Sequence, residues 1–239
     1  MLSSLFYKIF YQPLLNLLIL IYIAIPGKDL GLAIIFLAFL IRVLLYPLDL
    51  KSIKAQKTLL ELEPKLKEIR EKFSDNKERL AKETFALYQK AKINPFFGVF
   101  LILVQLPIFI AIFKLFSNPL LSKEMDCLYS FLPNPGQIRP YFLTIDLSKP
   151  NFLLAILAGF FQFLQNTKTK GKTKNSSEFA KIFHKQILYL GPLFTFFLLL
   201  KLPSAIALYL VSSTIFLIFQ TIYIQKKTEY VKKGAFRKN

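Results

Sequence analysis

The sequence is poor in the residue types that build disulfides, metal sites and catalytic centres. Its 239 residues include one cysteine, one histidine and no tryptophan. The lone Cys127 excludes a disulfide within the chain, and His184 has no second histidine with which to complete a metal site. A Gly-rich phosphate loop, an HExxH motif and a nucleophile elbow are also missing. We therefore expect no enzymatic activity, no metal and no cofactor.

What the chain has instead is long apolar runs. Hydrophobic residues make up 54% of the sequence, and about 20 consecutive apolar residues suffice to cross a bilayer core about 30 Å thick. We predict an all-α polytopic membrane protein whose five-helix transmembrane core occupies residues 29–224. The predicted spans are residues 30–48, 96–116, 152–164, 187–200 and 204–224.

The first 28 residues are aromatic and amphipathic. They contain a single lysine, Lys8, followed by an apolar stretch that Pro13 and Asn16 interrupt. This pattern predicts a helix lying in the membrane interface, with an additional, uncleaved transmembrane helix as the alternative. A cleavable signal peptide is disfavoured because no small-x-small cleavage site precedes Pro26.

The basic residues are concentrated in three segments that lie on one side of the membrane if there are five spans. Residues 51–92 hold twelve Lys and Arg, residues 168–185 hold six, and the basic tail at 225–239 holds six. The opposite side has only Lys123, Arg139 and Lys149, balanced by as many acidic residues. The positive-inside rule therefore predicts an external N-terminus and a cytoplasmic C-terminal tail.

The segment between the first two spans, residues 51–92, predicts a cytoplasmic helical hairpin. Apolar residues recur there at spacings of three and four, which is typical of amphipathic helices. Ser74-Asp75-Asn76 indicates a turn between two antiparallel helices, and Pro64 predicts a kink or a new first turn. Docking of a partner and packing of the hairpin only on itself both remain open.

Arg42 is the only charged residue in the first span. A cation at that depth costs about 2.5–3.5 kcal/mol on insertion scales, so it needs water, a partner or a route to the headgroups. Snorkelling is one solution, because Arg42 lies only six residues from Leu48, about 9 Å along a helix. The other solution is a polar groove shared with residues on the other spans, which would be Gln105, Gln162, Thr195, Ser212, Ser213 and Gln220.

Several motifs resemble those of the YidC/Oxa1/Alb3 membrane protein insertases. Asn94-Pro95-Phe96-Phe97-Gly98 and the later Gln105-Leu106-Pro107-Ile108-Phe109-Ile110-Ala111 are similar to the signature that opens the family's second core span. Leu202-Pro203-Ser204-Ala205-Ile206-Ala207-Leu208-Tyr209 is similar to the stretch that opens its last span. The family's tryptophan after that stretch is Leu210 here, so this chain lacks that aromatic side chain at the corresponding position. The order of the motifs covers nearly the whole chain and matches short bacterial members without a large periplasmic domain.

The resemblance implies that Arg42 lies in a hydrophilic groove open to the cytoplasm and to lipid. It implies an insertase and chaperone function: external segments of nascent membrane proteins cross through this groove, hydrophobic helices leave into lipid, and the protein also assists their folding. The implied location is the bacterial plasma (inner) membrane, and the implied partners are nascent membrane proteins, the ribosome and membrane lipids. A Sec translocon stays open as a partner, and DNA is not expected.

Two other functions fit parts of the pattern. An assembly scaffold could shelter partly folded helices in the same groove without inserting them. A small channel or transporter could use Arg42 for anion passage, although the sequence shows no inverted repeat of the kind typical of transporters. Insertion into vesicles that contain only this protein would separate these functions.

Overall fold

The fold is a helical bundle. The computed structural model describes residues 5–94, 97–117, 127–168 and 178–236. The helices in these ranges are α1 (Gln12–Ala24), α2 (Leu30–Lys72), α3 (Lys77–Lys90), α4 (Phe97–Ser117), α5 (Phe152–Lys168), α6 (Glu178–Leu199) and α7 (Ser204–Phe236). A π-helical turn at Tyr7–Tyr11 leads into α1, and the two-residue strands β1 (Tyr141–Phe142) and β2 (Ile145–Asp146) pair antiparallel. The all-α class predicted from the sequence is confirmed.

Some predictions concern residues that lie outside the described ranges. They include the second and third positions of the Asn94 motif and parts of the charge pattern on both sides of the membrane. The residues concerned are Pro95, Phe96, Lys123, Glu124, Asp126, Lys170, Lys172, Lys174, Arg237 and Lys238.

The first span and the first helix of the hairpin form a single helix, α2. Asp29 caps its start, since the Asp29 carboxylate accepts a hydrogen bond of 2.8 Å from the backbone N–H of Leu32. The helix runs for 43 residues through both Pro47 and Pro64. The alternative in which Pro64 begins a new helix is therefore wrong. A proline removes one backbone hydrogen bond, and the good helix formers on both sides of Pro64 keep the helix continuous.

The predicted hairpin is present in the described structure. Its turn follows Phe73, and the Asn76 side chain caps α3 by accepting a hydrogen bond of 2.9 Å from the N–H of Arg79. Helix α3 contacts α2 but buries none of its residues. Its surface, including the half-exposed Phe85, is therefore available to a partner.

Helices α2 and α7 pack against each other at the centre of the bundle. Helix α5 packs on α7 and α6, while α4 contacts α2 and the Tyr7–Tyr11 turn. Apolar side chains that are almost fully buried fill the contacts, and they include Ile34, Leu37, Ile112 and Ile206. The core thus surrounds the face of α2 that carries Arg42.

The N-terminal helix also belongs to this core. Helix α1 packs on α2 and buries Leu15, Leu18, Ile19 and Tyr22. By length and composition, Tyr7–Ala24 is one of three described stretches long and apolar enough to cross a membrane, with Leu30–Lys72 and Ser204–Lys226. The interfacial location of residues 1–28 stays a prediction, and this packing suits the spanning alternative equally well.

The third and fourth predicted spans extend further as helices than as apolar runs. Helix α5 continues to Lys168, and α6 begins at Glu178, because helical hydrogen bonding continues into the polar flanks. At 1.5 Å per residue, the 17 residues of α5 reach about 25 Å. These two spans therefore look short in the sequence partly because the apolar run ends before the helix does.

The loop at residues 127–151 closes one end of the bundle. The Asn16 side chain on α1 donates a hydrogen bond of 3.2 Å to the carbonyl of Cys127 and accepts one of 2.7 Å from the N–H of Tyr129. The first backbone N–H groups of α7 also find acceptors in this loop, since Ser204 donates to Lys149 and Ala205 donates to Leu147. We call this end the loop end, and the opposite end the hairpin end.

The same loop carries a short polar cluster. The hydroxyl of Ser148 donates to the carboxylate of Asp146, and Lys149 lies 3.2 Å from the same carboxylate. The hydrogen bond from Ser148 is the main cause that lowers the pKa of Asp146 below its usual value. The same loop packs closely against the start of α2. A Cβ at Gly31 would overlap the ring of Phe142.

Candidate functional site: a cavity at Arg42

Arg42 lies within the bundle and away from the loop end. It follows Leu30, the first residue of α2, by twelve positions, which is about 18 Å along the helix. Its side chain is on the face of α2 that packs against α7, and the residue is only 8% exposed. Ala38, Ile41 and Leu45 of the same face are also buried. The charge is therefore shielded by protein on this side.

Two residues of α7 hold Arg42 in place. The guanidinium Nε donates a hydrogen bond of 2.7 Å to the hydroxyl oxygen of Ser213. The side-chain amide of Gln220 donates a hydrogen bond of 3.1 Å to the backbone carbonyl of Arg42. These bonds, seven residues apart on α7, tie the two central helices together and set the direction of the arginine side chain.

Asp49 is the acidic partner of Arg42. The Asp49 carboxylate oxygen Oδ2 lies 3.7 Å from Nη1 of Arg42, and its side chain is only 1% exposed. The two residues are seven positions apart, so they fall on the same face of α2. The arginine thus reaches toward the hairpin end, as in snorkelling, but it meets a buried carboxylate there instead of open surface.

Sequence reasoning missed Asp49. It follows the predicted span directly, so the hydropathy pattern assigned it to the hairpin side and not to the site. The signal that could have found it is the spacing of seven residues from Arg42, which is close to two full helical turns. A buried acid at that spacing is a natural partner for a buried cation.

A cavity of about 270 Å³ lies beside this pair, between α2 and α7. Its polar lining comes from Arg42 and Gln220, and five aromatic rings form the rest: Phe39, Tyr46, Phe216, Phe219 and Tyr223. Phe219 and Tyr223 are 64% and 59% exposed, so the cavity opens at the side of the bundle. A lateral opening in a membrane-spanning bundle faces lipid.

The structure brings three of the seven predicted groove residues together, namely Arg42, Ser213 and Gln220. Ser212 is buried but donates its hydroxyl to the carbonyl of Leu208 in its own helix, at 2.8 Å. Because adjacent residues on a helix point about 100° apart, only one serine of the pair can face Arg42.

The other three predicted residues lie elsewhere. Gln162 lines a second cavity of about 690 Å³ together with Asn166 of α5 and Gln186 of α6. Gln105 and Thr195 are half-buried and neither bond Arg42 nor line its cavity. A role for these three in a substrate groove stays a prediction.

The motif that opens the last span forms the packed wall behind the site. The six residues from Ser204 to Tyr209 are all buried. Tyr209 lies one helical turn before Ser213 and is 1% exposed. Leu210, which replaces the family's tryptophan, is only half-buried. The motif thus acts here as core packing that presents Ser213 to Arg42.

The arrangement at Arg42 is suited to binding a charged or polar group. In the described part of the chain, no three His, Cys, Asp or Glu residues are grouped so that they could hold a metal ion. The site offers one guanidinium, whose N–H groups bind carboxylates well, within an aromatic wall that suits apolar side chains. Such a site suits a polypeptide segment that carries an acidic or polar group.

Comparison with known proteins assigns the family. The family model described as "60Kd inner membrane protein" matches residues 22–233. The chain is 34% identical over 195 residues to a membrane protein insertase YidC of Oceanobacillus iheyensis, covering 79% of this chain and 71% of the relative.

Two further relatives carry the same name. Membrane protein insertase YidC 1 of Halalkalibacterium halodurans is 34% identical over 214 residues, covering 87% of this chain and 74% of the relative. The YidC of Fusobacterium nucleatum is 30% identical over 185 residues, covering 77% and 80%. The family model runs from the end of α1 into α7 and includes Arg42 and the hairpin. The chain therefore belongs to the 60Kd inner membrane protein family, the YidC/Oxa1 family that its motifs indicate.

Proposed function

We propose that this chain is a membrane protein insertase that holds a short polar or acidic segment of its substrate at the Arg42 cavity. The name shared by its relatives supports insertion as the activity. The observation that carries the mechanism is the buried guanidinium of Arg42 at a laterally open cavity. A cation kept at that depth lowers the cost of bringing an anionic group there.

In this mechanism the substrate enters from the hairpin end. An acidic or polar segment occupies the cavity transiently, while the adjoining hydrophobic helix leaves through the opening beside Phe219 and Tyr223. Burial of that helix in lipid supplies the driving force. No hydrolysis, cofactor or metal is needed for such a cycle, and we propose no enzymatic step.

The chain is a multi-pass protein of the bacterial membrane. We place its N-terminus outside and its C-terminal tail in the cytoplasm, on the strength of the three basic segments. Nascent membrane proteins are the proposed substrates. The basic tail and the basic segment at residues 168–185 suit ribosomal RNA and anionic headgroups by charge, and a Sec translocon is a further candidate partner.

Reconstitution tests this proposal. Vesicles containing only this protein are given a small single-span membrane protein whose external segment carries two acidic residues, made by a cell-free system. We expect the external segment to become protected from added protease, and Arg42→Ala to reduce the protected fraction at least fivefold. Arg42→Lys, which keeps the charge but loses the Nε donor, should fall in between.

The same assay separates the alternatives. Protected substrate with an unchanged Arg42→Ala yield would contradict the role of the cavity charge but keep the insertase. Ion flux across the vesicles without protection would indicate a channel. Absence of both, with improved folding of a substrate inserted by other means, would indicate a scaffold.

A further inference from the structure

Asp49 has features that the proposed mechanism does not use. It is as deeply buried as the apolar core, at 1% exposure, although it follows the first predicted span directly. Burial of an ionised carboxylate is costly unless a charge or hydrogen bonds compensate it. Arg42 is its only ion-pair partner in the described part of the chain. The two groups therefore depend on each other.

The contact between them is loose. The distance of 3.7 Å between Nη1 and Oδ2 is an ion pair but longer than a good hydrogen bond. Within the described residues, nothing donates a hydrogen bond to Oδ2. Ser213 fixes the Nε edge of the guanidinium, so the Nη side is the part that faces Asp49. An arriving carboxylate would need this same side.

We propose that Asp49 is a specificity-determining residue that acts as an internal counterion of Arg42. It offsets part of the charge at the cavity, so an acidic substrate segment competes with Asp49 for the guanidinium. The insertase should accept neutral polar segments nearly as well as acidic ones. This inference rests on the proposed function, because it concerns which segments the Arg42 cavity accepts.

Asp49→Asn tests the inference, since it keeps the shape of the side chain and removes its charge. Three substrates differ only in the external segment, with net charge −2, 0 or +2. The measured quantity is the yield of the −2 substrate divided by that of the neutral one, which cancels any loss of active protein. We expect Asp49→Asn to raise this ratio about three- to tenfold and to lower the relative yield of the +2 substrate.

A second variant covers the case in which Asp49→Asn does not fold. Asp49→Glu keeps the charge on a longer side chain that can approach Nη1 more closely. For Asp49→Glu we expect the yield of the −2 substrate, divided by that of the neutral substrate, to be equal to or below the parent's value. A raised value would overturn the inference. Asp75→Asn, in the exposed hairpin turn, is the matched control for the change in net charge and should leave the ratio unchanged.

The outcomes separate this inference from the proposed function. If Arg42→Ala lowers the yield of the acidic substrate but Asp49→Asn leaves the ratio unchanged, Asp49 is only structural and the inference fails alone. If Arg42→Ala has no effect, the cavity charge has no role: this inference and the mechanism proposed for the Arg42 cavity both fail, while the insertase activity stands. An equal rise of the ratio in Asp75→Asn would assign the effect to overall charge and would also overturn the inference.

Discussion

The Nε of Arg42 and the hydroxyl oxygen of Ser213, 171 residues apart in the chain, share a hydrogen bond of 2.7 Å. This bond crosses from α2 to α7 and is buried. It fixes one edge of the guanidinium, so the remaining N–H groups are held toward Asp49 and the cavity. The site is thus organised by one hydroxyl, and that hydroxyl can be removed without removing the charge.

We predict that Ser213→Ala weakens insertion of acidic substrates about two- to fivefold, less than Arg42→Ala does. The charge stays, but the Nε donor loses its buried partner, which costs about 1–3 kcal/mol, and the guanidinium loses its orientation. The protease-protection assay measures this. Ser212→Ala is the matched control, since that neighbouring hydroxyl donates to the carbonyl of Leu208 in its own helix. Equal losses in the two variants would contradict the orienting role.

The fold could be predicted from the sequence more fully than the site. Apolar periodicity located the helices well, because burial in lipid or core requires runs that are visible in one chain. It could not show that α2 continues through Pro64, since a proline in a sequence is compatible with both a break and a continuous helix.

The site depends on helix rotation, which a single sequence does not reveal. Ser212 and Ser213 are indistinguishable by composition, yet only Ser213 faces Arg42. The sequence places Gln162 with Arg42 because both are polar residues within spans. In the structure, Gln162 on α5 lines a different cavity, together with Gln186. Asp49 was missed because hydropathy divides the chain at the first charge after a span, although burial extends past that point.

We predict that Asn16→Ala loosens the loop end. Its side-chain amide donates to the carbonyl of Cys127 and accepts from the N–H of Tyr129. The carbonyl keeps a second donor in Gln12, but the N–H of Tyr129 loses its acceptor, which should destabilise the protein by about 1–3 kcal/mol. Thermal unfolding in detergent and limited proteolysis within residues 127–151 measure the effect. Asn134→Ala, in an exposed turn, is the control; an equal change there would show that the bond to α1 has no special role.

We predict that Gly31→Ala destabilises the protein by about 1–3 kcal/mol, the usual cost of overpacking. A Cβ at Gly31 would overlap Phe142, so the loop must move away from α2. Phe142→Ala in the same chain should recover most of the loss, which a double-mutant cycle in thermal unfolding would measure. Gly191→Ala meets only one ordinary contact, at 3.8 Å, and should be nearly neutral. Additive effects of the two substitutions would contradict the contact.

The last prediction concerns the pH dependence of the loop end. The pKa of Asp146 is lowered, chiefly by the hydrogen bond from Ser148. A lowered pKa means that the ionised form is favoured in the folded state, so its stabilisation is complete above the usual value of about 3.9. It is lost as the pH falls through the lowered pKa. The Asp146 side chain is 21% exposed, so solvent reaches the carboxylate and screens these contacts, and the effect should be small.

Thermal unfolding of the parent and of Asp146→Asn between pH 7 and pH 3 checks this. We expect the parent to unfold at a higher temperature by a constant margin above about pH 5, and the margin to shrink as the pH falls below 4. The comparison isolates Asp146, because all other carboxylates titrate in both proteins. A margin that grows at low pH would mean that the carboxylate destabilises the loop, opposite to the direction that its contacts with Ser148 and Lys149 require.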